Sequence, residues 1–435
     1  MAERRKKSRS SLYSRSGMFS DSHTISVSCR RDESESIENQ KTKSKCNDKY
    51  NTTETELQEG IEKNFTPKRH RALSVAHAMR GISGDLALEE MRSVRNGTDE
   101  KSGFESYQTA DWWHKRAEAT ADCGSYLEFE LQPDLYRLHK ANFCKSKFCP
   151  MCMWRRSLKI FAQMSQVMDY LQNNPETRGY RYVFLTLTQR NCTGPELPGV
   201  VDRMAKAWYA IIHGDVLPGT EKSHRYSWLR EHVIRGAFRT LEVTVNQAAN
   251  TYHPHFHIVL AVPHNYFLAS NPWYMSHSDW FTLWRAAMAL DYDPSVRIES
   301  IKPDPERGYG PAVAEVSKYP VKDSDFMGPD ISFDNSKDFL YNLNRGLFNR
   351  RLLSWSGCFA QARRALGLTD PENGDITDTE TINLRPDVET LIRVYRWRVG
   401  IGGVIGGSYQ RDKRLESFAS ASSGGVEVSA DDFDG

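Results

Sequence analysis

The sequence predicts an α+β protein with an antiparallel sheet flanked by helices, a small Cys-rich zinc-binding subdomain and disordered termini. Three observations carry this expectation. Two strand-like runs, residues 237–246 and 252–262, are joined by a connector short enough for an antiparallel hairpin. Apolar residues recur at helical spacing on both sides of them. Four cysteines, Cys123, Cys144, Cys149 and Cys152, are grouped just ahead of the first long helical pattern.

Taken in order, the chain opens on about 67 residues rich in Ser, Glu, Lys and Asn, with few bulky apolar groups to offset the entropy of ordering. Residues 1–110 are therefore expected to be mostly disordered, and the Cys-rich subdomain to occupy 111–160. Its C-x20-C-x4-C-x2-C spacing ends in the tight Cys149-Pro150-Met151-Cys152 turn, and four thiolates form a closed structural Zn²⁺ site. Leu158, Ile160, Phe161, Met164, Val167, Met168 and Leu171 mark an amphipathic helix over 156–172. Residues 182–188 (YVFLTLT) read as a strand covered on both faces. A helix over 200–213 precedes the alternating strand 237–246, whose faces carry Leu241, Val243 and Val245 or Thr240, Glu242 and Thr244. After the histidine-rich strand come a helix over 278–290, a short strand over 296–301 and helices over 311–319 and 336–352. These elements define a domain over 175–368. Between residues 369 and 389 seven acidic residues face one Arg, so 369–411 reads as an acidic linker with C-terminal elements, and 412–435 as a disordered tail.

Charge excludes some classes of function. With 58 Lys+Arg against 56 Asp+Glu the net charge is only +2, so any nucleic-acid surface must be local. Residues 141–190 supply one: eight Lys/Arg against Asp169 and Glu176. Lys145, Lys147, Arg155, Arg156 and Arg190 are the candidate DNA contacts, with Phe148 and Trp154 nearby for stacking. The segment 345–364, with five Arg and no acid, is a second candidate. No apolar stretch approaches the ~18 residues that suggest a membrane span, and no secretory signal is visible, so a cytoplasmic protein is expected.

The run Tyr252-His253-Pro254-His255-Phe256-His257-Ile258 is the most informative in the chain. On a strand it puts three imidazoles on one face and apolar groups on the other, a platform for a divalent metal. If the preceding strand pairs with it, Glu242 lies within reach as a third ligand, and His253 competes for that position. Two His and a carboxylate leave coordination sites open for substrate, and the mixed N/O set suits Mg²⁺ or Mn²⁺. Further on, Glu315 and Tyr319 are one helical turn apart, with Lys322 a turn later if the helix persists through Pro320. A tyrosine hydroxyl, with a free pKa near ~10, needs a metal-polarised electrophile and cationic help to act as a nucleophile.

Phe184 to Asn191 (FLTLTQRN), His253-Pro254-His255-Phe256-His257 and the segment from Glu315 through Lys322 to Asp325 resemble, in order and spacing, the three motifs of plasmid rolling-circle replication initiators of the single-tyrosine HUH endonuclease superfamily. The resemblance extends over roughly 122–368, including the cysteine group and Trp154-Arg155-Arg156. It implies a nickase and strand transferase. His255 and His257 would be ligands of the catalytic ion, Tyr319 the nucleophile that forms a 5′-phosphotyrosyl link and frees a 3′-hydroxyl primer, Glu315 the base that activates water at termination, and Lys322 the lysine of a Tyr-x-x-Lys pattern. It also implies plasmid origin DNA, single-stranded or extruded as a hairpin, as the substrate. A host DNA polymerase and a host helicase would be partners, because the chain has no Gly-x4-Gly-Lys-Ser/Thr motif of its own. The rival expectations are a zinc-dependent DNA-binding regulator without nuclease activity, and a transposase or mobilisation nuclease of the same superfamily.

Overall fold

A computed structural model describes residues 51–96, 109–214, 227–306, 308–318, 321–379, 384–386, 388–399 and 407–419. The chain is α+β, with two antiparallel sheets flanked by helices. Helices α1 (Asn51–Gly60) and α2 (Thr66–Arg95) are joined by a single π turn, and α3 spans Ala110–Asp122. The hairpin β1 (Tyr126–Gln132) and β2 (Leu135–Ala141) leads into α4 (Pro150–Asn173). Then follow β3 (Arg181–Thr188), α5 (Leu197–His213), β4 (Gly236–Asn246) and β5 (Thr251–Val262). The chain continues through α6 (His277–Ala287), β6 (Val296–Ile301), α7 (Gly310–Val316), α8 (Asp323–Phe326), α9 (Phe333–Leu347), β7 (Leu353–Ser356) and α10 (Gly357–Ala365). Strands β8 (Thr390–Val399), β9 (Gly407–Arg411) and β10 (Ser417–Ala419) end the described part.

The larger sheet has the order β6-β3-β5-β4-β7. Its central strand, β5, buries Phe256, Ile258 and Leu260 completely on the face opposite the histidines, as alternation requires. Helix α4 begins with Pro150 in its first turn, where a missing N–H costs nothing, and buries Ile160, Met164, Val167, Met168 and Leu171 in the same core. The smaller sheet, β10-β8-β1-β2 with β9 on β8, is built from strands at both ends of the sequence: β1 pairs β8 over Tyr126↔Arg396 to Leu131↔Leu391. Its core includes Phe129, Leu131, Leu391 and Tyr395 together with three of the four grouped cysteines.

Four expectations are corrected here. Residues 51–95, placed in the disordered region of 1–110, are helical, because Leu57, Ile61, Phe65, Ala72, Val75, Met79 and Ile82 recur at helical spacing within a polar composition and are all buried. Residues 1–50 and 97–108 lie outside the described residues. The acidic stretch after 369 packs against α4, with Glu372, Ile376 and Thr379 buried. Part of the expected tail, Ser417–Ala419, adds a strand beside β8 through Phe418↔Leu391; residues 420–435 lie outside the described part. The helix expected over 336–352 instead runs Phe333–Leu347, capped by the Ser332 hydroxyl accepting from Asn335 N–H, and the chain turns through Asn349 (φ 53°) into edge strand β7.

Candidate metal centre and nucleic-acid interface

Hairpin β4–β5 sets the centre. Its register opposes Glu242 to His255 and Thr240 to His257, so carboxylate and imidazoles share one face of the sheet. Glu242 Oε2 lies 3.0 Å from His257 Nε2 and 3.5 Å from His255 Nε2. One ligand atom from each of the three residues falls within 4.8 Å of the others, a group that could hold a metal ion. His255 Nδ1 is 3.1 Å from the His253 carbonyl oxygen, which accepts its proton and leaves Nε2 as the lone-pair donor. His257 Nδ1 is 3.4 Å from Thr186 Oγ1 on β3, so the first sequence motif orients the second imidazole. Glu242 and His255 are buried. His253 stays outside the group: it pairs with Thr244, and its ring centre lies 5.3 Å from that of His255. Burial, then the neighbouring His255, lowers its pKa.

Lys322 reaches the same carboxylate, with Nζ 3.2 Å from Glu242 Oε1. Burial alone pushes the Glu242 carboxyl up, but the hydrogen bonds from His255 and His257 and the charges of His255 and Lys322 outweigh it and hold the group well below the usual carboxylate range. Asp325, one turn further on, is pushed up to about 6 by burial, with Lys322 opposing and Glu242 reinforcing the shift.

Glu315 and Lys322 do not share one helix. Helix α7 ends at Val316, and Lys322 sits in extended backbone (φ −94°, ψ 137°) at the N-cap of α8. Tyr319 itself lies outside the described residues. Glu315 is half-exposed and forms an ion pair with Lys318.

The cysteine group converges. Sγ–Sγ distances are 3.5 Å for Cys123–Cys152 and 3.7 Å for Cys144–Cys152, far beyond a disulfide bond, and all four sulfurs lie within 4.8 Å of one another. A tetrahedron of ~2.3 Å Zn–S bonds has edges of about 3.8 Å, so these four sulfurs fit one zinc ion. Burial, followed by the other three sulfurs, pushes the Cys149 thiol well above its ordinary value. The Arg69 guanidinium donates to the Cys123 carbonyl at 3.2 Å, tying α2 to the cysteine centre.

The basic patch divides into two groups. Arg155 and Arg156 are buried: Arg155 Nε donates to the Ile376 carbonyl at 3.0 Å, and Arg156 to the carbonyls of Glu372 and Ser146 at 2.9 Å each. Lys147 Nζ donates to the carbonyls of Leu347 (3.1 Å) and Arg350 (2.8 Å). These three candidates for DNA contact are therefore structural cations that hold the acidic segment and the end of α9. Lys145 and Arg190 are exposed, and Arg190 stacks over Tyr292 at 4.6 Å. In the second basic segment Arg350 is engaged by Asp202 at 2.7 Å. Sequence reasoning missed one feature of this face, a polar cleft beside His253 lined by Asn191 of the first motif and by Asn246 and Gln247 at the end of β4.

Two antiparallel sheets, carrying a His-x-His strand with an opposed glutamate and a four-sulfur group, define an α+β protein with two candidate metal centres. The family model described as "Replication protein" matches residues 135–401, and the chain belongs to that family, the plasmid replication initiators. The chain is 35% identical over 316 residues to "Protein rep" of Bacillus sp, covering 68% of this chain and 95% of the relative. It is 36% identical over 287 residues to "Protein rep" of Bacillus amyloliquefaciens (62% and 79% covered) and 34% identical over 269 residues to that of Streptococcus pneumoniae (61% and 77%). No solved structure matches it. No helix among the described residues is long and apolar enough to cross a membrane.

Proposed function

We propose that this initiator starts rolling-circle replication by nicking one strand of the plasmid origin at a divalent-metal centre formed by Glu242, His255 and His257. The observation that carries the reading is the convergence of these three ligand atoms within 4.8 Å, with Lys322, three residues after Tyr319, on the same carboxylate. The donor set fits a hard divalent ion with open positions: one carboxylate, and two imidazoles whose Nδ1 atoms are engaged elsewhere. Bound there, Mg²⁺ or Mn²⁺ supplies Lewis-acid polarisation of the scissile phosphate.

The chain's own groups do the rest. The Glu242 carboxyl, held well below the usual carboxylate range by His255, His257 and Lys322, anchors both imidazoles. Tyr319 Oη bonds to phosphorus as the P–O3′ bond breaks, and its proton ends on the departing 3′-oxygen. The products are a 5′-phosphotyrosyl link and a free 3′-hydroxyl primer. Bond energy is conserved in the link, so no nucleotide hydrolysis is needed, and strand separation and extension fall to a host helicase and polymerase. Lys322 contributes positive charge near the reacting phosphate. Glu315 activates the water that ends the round. Cys123, Cys144, Cys149 and Cys152 would hold Zn²⁺, which would tie the smaller sheet to the end of α3 and the start of α4. Lys145 and Arg190 contact phosphates of a single-stranded or extruded origin.

The test is incubation with Mn²⁺ and labelled single-stranded origin DNA. A covalent adduct is expected from the wild-type chain, none from Tyr319→Phe, and a loss of about a hundredfold or more in rate from His257→Ala. An adduct undiminished in Tyr319→Phe overturns the nucleophile, and full activity in His257→Ala overturns the metal centre. In Glu315→Gln nicking should survive while strand release slows.

A further inference from the structure

A cleft of about 610 Å³ opens on the histidine face of hairpin β4–β5, lined by Asn191, Thr244, Asn246, Gln247 and His253 with Val245 and Ala248. None of these residues is charged, although the cleft adjoins a centre that carries a carboxylate, a lysine and a pair of imidazoles. Its polar groups are already oriented by the fold. Asn191 Nδ2 donates to Thr251 Oγ1 at 3.0 Å, which leaves the Asn191 carbonyl oxygen as an acceptor. Asn246 Oδ1 accepts from Ala249 N–H at 3.1 Å, which leaves the amide N–H₂ as a donor. Gln247 Nε2 donates to the carbonyls of Ser324 (3.2 Å) and Asp325 (3.3 Å), leaving a second acceptor. His253 Nδ1 is buried and has no hydrogen-bond partner.

This donor and acceptor set does not suit a phosphate, which calls for Lys, Arg or a row of backbone N–H groups. It suits the edge of a nucleobase, which presents neutral donors and acceptors side by side and is read by Asn and Gln amides in pairs. The position is also specific. The His253 ring centre lies 5.3 Å from that of His255, and Gln247 binds the backbone of the segment that follows Tyr319. One wall therefore adjoins the metal centre and another touches the segment that follows Tyr319. We infer that this cleft receives the unpaired base of a nucleotide flanking the scissile phosphate, and that Asn191, Asn246 and Gln247 set which base is accepted there. The inference rests on the nickase reading and supplies a role for the last residue of the FLTLTQRN motif, Asn191, which the metal chemistry leaves unused.

The test works whatever the sequence of the origin. A pool of single-stranded DNA of random sequence is incubated with the full chain and Mn²⁺, covalent adducts are captured, and the cleaved sequences are read from the wild-type chain, Asn246→Ala and Asn191→Ala. All three should yield adducts and share most of their consensus. At one or two positions beside the cleaved bond the variants should lose about tenfold in discrimination among bases. A DNA with an abasic site at that position should be cut more slowly by the wild-type chain than the intact DNA, and the variants should show no such difference. Unchanged base preference in both variants overturns the inference while leaving the nickase standing. No adduct from the wild-type chain overturns the nickase reading and this inference with it. A variant that loses its adduct together with its melting transition is replaced by Gln247→Ala, judged by the same two outcomes.

Discussion

Asp325 occupies a site that favours a neutral carboxyl. Burial lifts its pKa to about 6, and one of its oxygens is buried without a hydrogen-bond partner. Because the folded-state pKa lies above the unfolded one, the ionised group opposes folding above about pH 6, and that cost fades as pH falls through 6 towards 4. Asp325→Asn should therefore stabilise the metal-free protein at pH 8 by about 1 kcal/mol, once solvent screening at a partly exposed carboxyl is allowed for. The gain should vanish near pH 4; thermal melting across that range decides it, and a gain that grows with acidity would contradict the account. At this scale much of the candidate site was legible in the sequence. The period of a strand put His255 and His257 on one face, and the short connector brought Glu242 opposite them, as the register has it. What sequence could not separate was exposed from buried cations. Lys145, Lys147, Arg155 and Arg156 are similar as letters, and only the fold decides which of them meets backbone carbonyls.

Among elements, α4 illustrates that difference. Its basic residues Arg155, Arg156 and Lys159 hold the segment 372–377 through main-chain oxygens, so the charge run that suggested a DNA face and the acidic run that suggested a linker belong to one interface. Arg156→Ala should cost about 3 kcal/mol of stability by orphaning buried carbonyls. It should leave the salt dependence of DNA binding unchanged. Arg190→Ala should do the reverse, with unchanged melting and a binding slope against log salt shallower by about 1. Calorimetry and binding isotherms at several salt concentrations check both. Strongly periodic elements were legible: α4, β3, α5, β4, β5 and α6 all occur close to where periodicity put them. The pairing of β1 with β8 was not, because it joins residues far apart in sequence, and no local pattern encodes a partner so distant.

Across the whole molecule, helix α2 is the member that sequence composition hid. Its Ala72 and Leu73 enter the core of the smaller sheet, while Val75, Ala78, Met79 and Ile82 enter that of the larger one. Arg69 on the same helix meets the Cys123 carbonyl, and Arg71 forms an ion pair with Asp323, the residue after Lys322. One rigid element thus contacts the cysteine centre, both cores and the segment beyond Tyr319. Two cores sharing a helix should unfold together. If the four sulfurs hold zinc as proposed, the wild-type chain should carry one zinc ion, and Cys152→Ser should lose it and lower the melting temperature of the entire chain in one transition. Zinc content by atomic absorption and a calorimetric scan test this, and a wild-type chain purified without zinc, or two separate transitions in the variant, would contradict it.

The central claim is a tyrosine nickase built on the Glu242, His255 and His257 centre, and the most direct measurement locates the covalent bond. The adduct formed with Mn²⁺ and single-stranded origin DNA is digested with nuclease and protease, and the modified peptide is sequenced by mass spectrometry. The account predicts a nucleotide joined through its 5′-phosphate to Tyr319, formed only when the divalent ion is present. A nucleotide on any other residue, or DNA cleaved with no protein-linked phosphate, would contradict it.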